Sequence, residues 1–409
     1  MKTLASTPFK KTPMLLAMMI IATGQVGVSI YLPALPLISR DLMVDQASIQ
    51  WLVTLFLVAF GMSQLFYGPL SDAVGRRPTF LLGQGIYLAG TVLCVCFSDN
   101  FHALAAGRLL QGLGAGSASV LGRSVLRDSY DGLQLTKALS YIAITASIMP
   151  IIAPVLGGWL AFHLSWQSVF VFVLVYICTI FILGWWILPE TLPYAKHRFQ
   201  PKAVLHNYLL LLKNSQVLTS ASYNWISYLS SLVTLSVLPF LLQNKLGLTA
   251  ADYGTVMIVP SAGLMIGSVA VNLLNDRFSS QRLLALAIVI MAFAGVWLLI
   301  TPMSVFNLVW GFTWLTIAQG ISFPLSTSML LGPHKTQAGS VAALSGSIQM
   351  CLAGFLGGYL VERWITSQMS LGWFYLATSC YVFGVVFFLS LTSNQIRLML
   401  FIPFRFEAV

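Results

Sequence analysis

Apolar residues run along this chain in continuous blocks, with polar and charged residues crowded into the gaps between them. A block of about 20 apolar residues spans the hydrocarbon core of a bilayer as an α-helix. The pattern predicts helices near 14–38, 50–70, 79–98, 102–125, 136–161, 166–188, 218–242, 252–275, 283–301, 304–329, 338–362 and 371–392. Turn residues mark the gaps, as in Ser98-Asp99-Asn100, the stretch from Gly247 to Asp252, and Gly332-Pro333-His334-Lys335. The widest gap holds Pro189, Glu190, Lys196, Arg198, Lys202 and Lys213. It divides the chain into six helices at 1–188, a connecting loop at 189–217 and six helices at 218–409. The expected fold class is an all-α integral membrane protein with twelve transmembrane helices in two six-helix halves. A barrel is excluded, because its strands read as alternating segments of about ten residues.

Composition agrees. Of 409 residues, 58% are hydrophobic and 8% charged, whereas a soluble domain carries about 25% charged residues. The net charge of +10 would suggest nucleic acid in a soluble protein. Here its distribution gives another reading. If the N-terminus is cytoplasmic, 17 of the 21 Lys and Arg fall on the cytoplasmic side. Arg40, Lys245 and Arg363 fall opposite, and Arg108 lies within a span. Basic loops stay on the cytoplasmic side of a membrane, so both termini and the central loop are expected there, with no nucleic-acid partner. Lys10 and Lys11 precede the first apolar block as they would in a secretory signal, but the block is longer than a signal core and is read as a helix that stays. The five cysteines all lie in apolar stretches and suggest neither a disulfide nor a metal site.

The halves echo each other. Tyr31-Leu-Pro33 returns as Val237-Leu-Pro239, Leu110-Gln-Gly112 as Ala318-Gln-Gly320, and Val155-Leu-Gly-Gly158 as Phe355-Leu-Gly-Gly358. Asp72 has its counterpart in the segment from Asn275 to Phe278. A repeat of six parallel helices is a plan of secondary transporters, with the substrate held between the halves near the midplane.

Between the second and third helices stands Gly68-Pro-Leu-Ser71-Asp72-Ala73-Val-Gly75-Arg76-Arg77-Pro78. This segment resembles the loop motif of the major facilitator superfamily, with Ala73 where a basic residue is usual. The resemblance implies a gating role for Asp72, Arg76 and Arg77, with Asp72 pairing with Arg127 or Arg123 at the end of helix 4, beside Asp128. The plain alternative is that these charges end helices and anchor topology. Helix 4 carries Arg108-Leu-Leu-Gln111-Gly112, in which Gln111 shares a face with Arg108. It is similar to the motif that exporters of the superfamily tie to proton transfer; the alternative is an arginine bonded to backbone carbonyls of helix 1. Helix 5 carries Pro150-Ile-Ile-Ala153-Pro154-Val-Leu-Gly157-Gly158. Its prolines free carbonyls and bend the helix. Pro154 and Gly157 resemble the end of the antiporter motif, which implies export. Together with Gln25 and Tyr31-Leu32-Pro33 on helix 1, these segments resemble the twelve-helix drug:proton antiporters, of the EmrD-like and bicyclomycin-resistance kind.

The resemblance implies a cavity lined by Gln25 and Leu32 on helix 1, Phe56, Phe60 and Gln64 on helix 2, Gln111 on helix 4, Asn224, Trp225 and Tyr228 on helix 7, and Trp314, Gln319 and Phe323 on helix 10. Aromatic walls with a few amides suit bulky amphipathic ligands. All eleven acids lie at helix ends or in loops, which weakens a simple proton-swap site. The expectation is a secondary multidrug exporter in a bacterial inner membrane: monomeric, without metal or cofactor, not an enzyme, exchanging lipophilic small molecules for protons. A dedicated exporter of one metabolite and a non-transporting membrane sensor are the alternatives.

Overall fold

The structure, a computed structural model, describes residues 11–192 and 200–392. All their regular elements are helical. In order they are α1 (Lys11–Ser29), α2 (Leu35–Asp41), α3 (Gln46–Val74), α4 (Arg76–Cys96), α5 (Phe101–Ser129), α6 (Gly132–His163), α7 (Trp166–Ile187), α8 (Pro201–Leu212), α9 (Ser215–Pro239), α10 (Ala250–Val256), α11 (Ile258–Leu274), α12 (Ser280–Ile300), α13 (Val305–Leu331), α14 (Ala338–Arg363) and α15 (Gln368–Thr392). Nine helical spans among the described residues have the length and apolar character to cross a membrane. The long helices α5, α6 and α15 stand at the three remaining expected positions. In α5, glycine, serine and three arginines dilute the apolar residues.

Proline breaks two of the expected helices. The first divides into α1 and α2 around a 3₁₀ turn at Leu32–Ala34, where Pro33 and Pro36 withhold backbone donors. The eighth divides into α10 and α11 at Met257, because Pro260 has no N–H for the Val256 carbonyl. The helix after Asp45 starts earlier than expected. Asp45 Oδ1 accepts from the Ser48 amide at 2.9 Å and caps α3, and the bonds from Ser48 hold that carboxyl below the usual range. The central loop, expected to be irregular, contains the short helix α8. Of the basic residues that set the expected orientation, Lys2, Lys10, Lys196, Arg198, Arg397 and Arg405 lie outside the described residues.

The sequence repeat reappears as packing. Helix α5 packs against α1, α3 and α4, and α13 packs against α9, α11 and α12. Likewise α4 packs on α7, and α12 on α15. Of the apolar clusters, one gathers Tyr31, Phe56 and Phe170 with Leu232 and Phe240 from the second half, and another gathers Tyr253, Phe312 and Tyr375. The halves join along α3–α14 and where α6 meets α10 and α11. The loops with Arg76, Arg77, Arg127, Arg277 and Arg282 share one end of the bundle, called the basic end below.

Candidate functional site

Arg108 is 2% exposed, seven residues into α5. An arginine at such a depth costs about 3 kcal/mol on insertion scales. The fold answers with donors and rings. Nη2 donates to the Gly27 carbonyl of α1 at 3.0 Å, Nε to the Leu52 carbonyl of α3 at 3.3 Å, and Nη1 to Gln111 Oε1 at 2.7 Å. The guanidinium carbon stands 3.9 Å from the Tyr31 ring centre and 4.1 Å from that of Phe56. Gln111 in turn donates to Thr91 Oγ1 of α4 at 2.9 Å. One planar fork therefore ties α1, α3 and α5 together, and Gln111 extends the tie to α4. The close fit needs glycine at 112, where an added Cβ would overlap the Phe56 carbonyl. No ion pair to Arg108 occurs among the described residues. The bonding to a helix 1 carbonyl is the structural alternative stated above, and it comes with contacts to α3 as well.

In the second half α9 and α13 are tied together by neutral groups, and the Ser227–Ser322 pair lies toward α12 and α15. Between α9 and α13, Ser231 Oγ donates to Gln319 Oε1 at 2.5 Å, Ser227 and Ser322 share a bond of 3.3 Å, and Asn224 Nδ2 donates to Thr327 Oγ1 at 3.1 Å. Ser326 donates to the Ser220 carbonyl. The Thr327 hydroxyl is already spent on the Phe323 carbonyl at 2.8 Å. It can only accept from Asn224, which leaves Asn224 Oδ1 buried and without a partner.

The expected lining residues separate accordingly. Arg108, Gln111 and Phe56 meet, and Phe60 follows Phe56 with ring centres 5.9 Å apart. Gln25 is half-buried on α1. Leu32 is buried one turn beyond Ser29, inside the first core. Gln64 is buried where α3 faces Gly346 of α14. Tyr228 packs partly buried against the Tyr31 cluster. Phe323 is 45% exposed. On α13 it lies between the positions that meet α9 (Gln319, Ser322) and those that bond α11 (Thr316, Gly320). Two residues point elsewhere. Trp314 packs edge-on to Phe293 of α12 at 5.3 Å, on the outer side of α13. Trp225 Nε1 donates to the Ser345 carbonyl of α14 at 3.0 Å.

The end away from the basic loops is sealed. Gln243 Nε2 donates to the Pro33 carbonyl at 2.8 Å, and Gln50 Nε2 to Ser236 Oγ at 3.4 Å, each across the halves. At Gly158 an added Cβ would overlap the Ala250 carbonyl, and at Gly254 it would stand 2.6 Å from the Pro154 carbonyl. The α6 and α10 backbones thus touch directly. Gly157 approaches the Ile30 carbonyl in the same way. Prolines elsewhere in the bundle free carbonyls that accept from neighbouring helices. Pro154 has no N–H for the Pro150 carbonyl, and Ser261 Oγ of α11, which bonds the Met257 carbonyl at 2.8 Å, stands 3.4 Å from it. Pro324 and Pro69 leave the Gly320 and Leu65 carbonyls, which accept from Ser268 Oγ at 3.3 Å and Tyr208 Oη at 3.2 Å.

At the basic end the charges pair differently from the resemblance. Asp72 Oδ1 accepts from Arg76 Nη1 at 2.6 Å, one turn away, not from Arg123 or Arg127. Arg76 makes the link to α5, with Nε donating to Asp128 Oδ2 at 2.8 Å. Arg76 is 5% and Asp128 7% exposed, while Asp72 is 55% exposed. The Arg76 amide donates to Glu190 Oε1 at 2.8 Å, which places a carboxylate at the N-terminus of α4. Glu190 was not among the expected residues, although its position right after the sixth helix puts an acid beside basic loops. Gly75 turns the chain at φ +120°, a conformation that suits glycine. Arg77 Nη2 donates to the Trp185 carbonyl at 2.6 Å, and Arg127 is exposed.

The family model of the Major Facilitator Superfamily matches residues 15–358. Multidrug resistance protein D of Escherichia coli (strain K12) is 31% identical over 374 residues, covering 88% of this chain and 91% of the relative. Multidrug resistance protein MdtL of Escherichia coli O81 (strain ED1a) is 28% identical over 351 residues, covering 85% and 86%. Among solved structures, the human organic anion transporter MFSD10 matches 93% of this chain and 100% of its own with a TM-score of 0.68 at 15% identity. A D-xylose–proton symporter matches 92% and 97% with a TM-score of 0.73 at 13% identity. These two share the fold. With the match to the family model over most of its length, the chain belongs to the major facilitator superfamily.

Proposed function

We propose that this membrane protein is a multidrug exporter of a bacterial inner membrane, moving amphipathic compounds outward by alternating access in exchange for protons. The observation that carries this is the buried Arg108–Gln111 cluster of the first half, with neutral hydrogen bonds around Gln319 at the repeat-related place in the second half and a seal between the halves at one end. The names of the multidrug resistance relatives support the drug substrates. The basic loops support a cytoplasmic position for the termini and for the basic end. On that orientation the sealed end is external. The halves are assigned to 1–188 and 218–409, joined by 189–217, and the functional unit to a monomer. Helix α9 opens the second half near the expected 218–242, while α8 is assigned to the connection.

Phe323 and Trp314 test the interior. Phe323→Ala is expected to change the export profile unevenly, weakening flat aromatic compounds several-fold and sparing others, since each such ligand leans on different walls. Trp314→Ala is expected to lower stability with the profile unchanged, because its ring packs on Phe293. A resistance panel with both variants checks this; equal profiles for Phe323→Ala and wild type would remove Phe323 from the site.

The charge cluster makes a second prediction. An exposed ion pair contributes about 0–1 kcal/mol, while breaking a buried pair costs about 3–5 kcal/mol. Asp128→Asn is therefore expected to slow the transport cycle far more than Asp72→Asn. Turnover in proteoliposomes at matched protein density measures it. A larger effect from Asp72→Asn would assign the gate to the exposed aspartate instead.

A further inference from the structure

At the sealed end, the seam between α3 and α14 opens into a cleft of about 210 Å³. Gln50 and Thr54 line it and are buried. Three large aromatic side chains line it too: Trp51 of α3, 47% exposed, and Phe355 and Tyr359 of α14, 60% and 55% exposed. Glu362, one turn beyond Gly358, adds a carboxylate. Among the described residues its one ion pair is to its neighbour Arg363, at 3.7 Å, with side-chain exposures of 31% for Glu362 and 67% for Arg363. An exposed pair of that length holds little, so the carboxylate is available to another cation. Glu362 and the three aromatics play no part in the interior described above.

A carboxylate among aromatic side chains in a cleft favours an ammonium group, through charge and through ring faces. Size decides what else can enter. Pockets for drug-sized ligands run to about 300–1,000 Å³, so this cleft takes a head group and not a whole compound. Exposed tryptophan and tyrosine near a helix end mark the depth at which head groups lie. We propose that the cleft binds the ammonium head group of a membrane amphiphile, whose tail stays in the surrounding lipid. Because α3 and α14 belong to opposite halves, the occupant binds the sealed arrangement and stabilises it by mass action.

The test uses the purified full chain in detergent with short-chain phosphatidylethanolamine as the probe and its N-acetylated form, which lacks the ammonium, as the control. Wild type is expected to bind the first about 10-fold more tightly than the second. Glu362→Gln is expected to erase that preference and Glu362→Asp to keep part of it. Trp51→Leu and Tyr359→Leu are each expected to weaken it about 3-fold. Ethidium, measured in the same variants, separates the sources. Ethidium binding that depends on Glu362 overturns the head-group assignment, because a whole compound then occupies the cleft, and ethidium binding indifferent to Glu362 supports it. Equal binding of the two lipids to wild type overturns the proposal, and so does a preference that survives Glu362→Gln. The wild-type comparison decides even if a variant fails to fold.

Discussion

Arg108→Ala is expected to abolish gradient-driven export while leaving the protein in the membrane. The side chain makes three charge-assisted hydrogen bonds, each contributing about 1.5–3 kcal/mol. It also lies beside two rings, and a desolvated contact of that kind contributes about 2 kcal/mol. Alanine leaves Gln111 Oε1 and two backbone carbonyls without their donor in the core. A fall in flux of about 100-fold or more follows if even 3 kcal/mol of that support is needed in the moving states. Arg108→Lys is expected to rescue poorly, since an ammonium on a single stem does not reproduce the planar fork that serves α1, α3 and Gln111 together. The measurement is flux under an imposed pH gradient, paired with thermal stability. Wild-type flux in Arg108→Ala would make the residue a packing element only. A guanidinium keeps its proton in proteins, so the proton is expected to travel on another group.

Gly158→Leu is expected to hold the protein out of its sealed state. The α6 and α10 backbones touch at this position, and a leucine has nowhere to go but between them. Overpacking costs about 1–3 kcal/mol, and 3 kcal/mol shifts a two-state balance by more than about 100-fold. Transport should fall accordingly. Spin labels at Met43 and Asn244, both exposed near the seal, should lose their short-distance population in Gly158→Leu. Gly158→Ala should show a weaker form of the same change. An unchanged distance distribution in the leucine variant would mean that the α6–α10 contact does not hold the seal.

Much of this was legible in the sequence because membranes impose a simple code. Continuous apolar blocks gave the helices and their order, and the offset repeat gave the matching packing of α5 and α13. Arg108 stood out because a charge deep in an apolar helix demands partners. What the sequence left open was direction around each helix. Trp314 stands in the same helix as Gln319 and Phe323, but nine residues at about 100° each put it on the face opposite Phe323, and its ring meets Phe293 of α12. The partner of Asp72 was also out of reach. Arg76 is one turn away on the chain, and the choice between it and Arg127 depends on how Gly75 turns α3 into α4. Helix α8 was missed because its apolar run is short and lies in a basic loop. The breaks at Leu32–Ala34 and Met257 were written in Pro33, Pro36 and Pro260, but apolar length alone does not show whether a proline bends a helix or ends it.

The most direct test of the exporter reading is transport by the purified chain in proteoliposomes, with a pH gradient as the only energy source and a panel of chemically unlike amphipathic compounds. The account predicts that several of them move uphill in exchange for protons, that collapsing the gradient stops this, and that addition of one compound slows another. Movement of a single compound alone, or movement indifferent to the gradient, would contradict it.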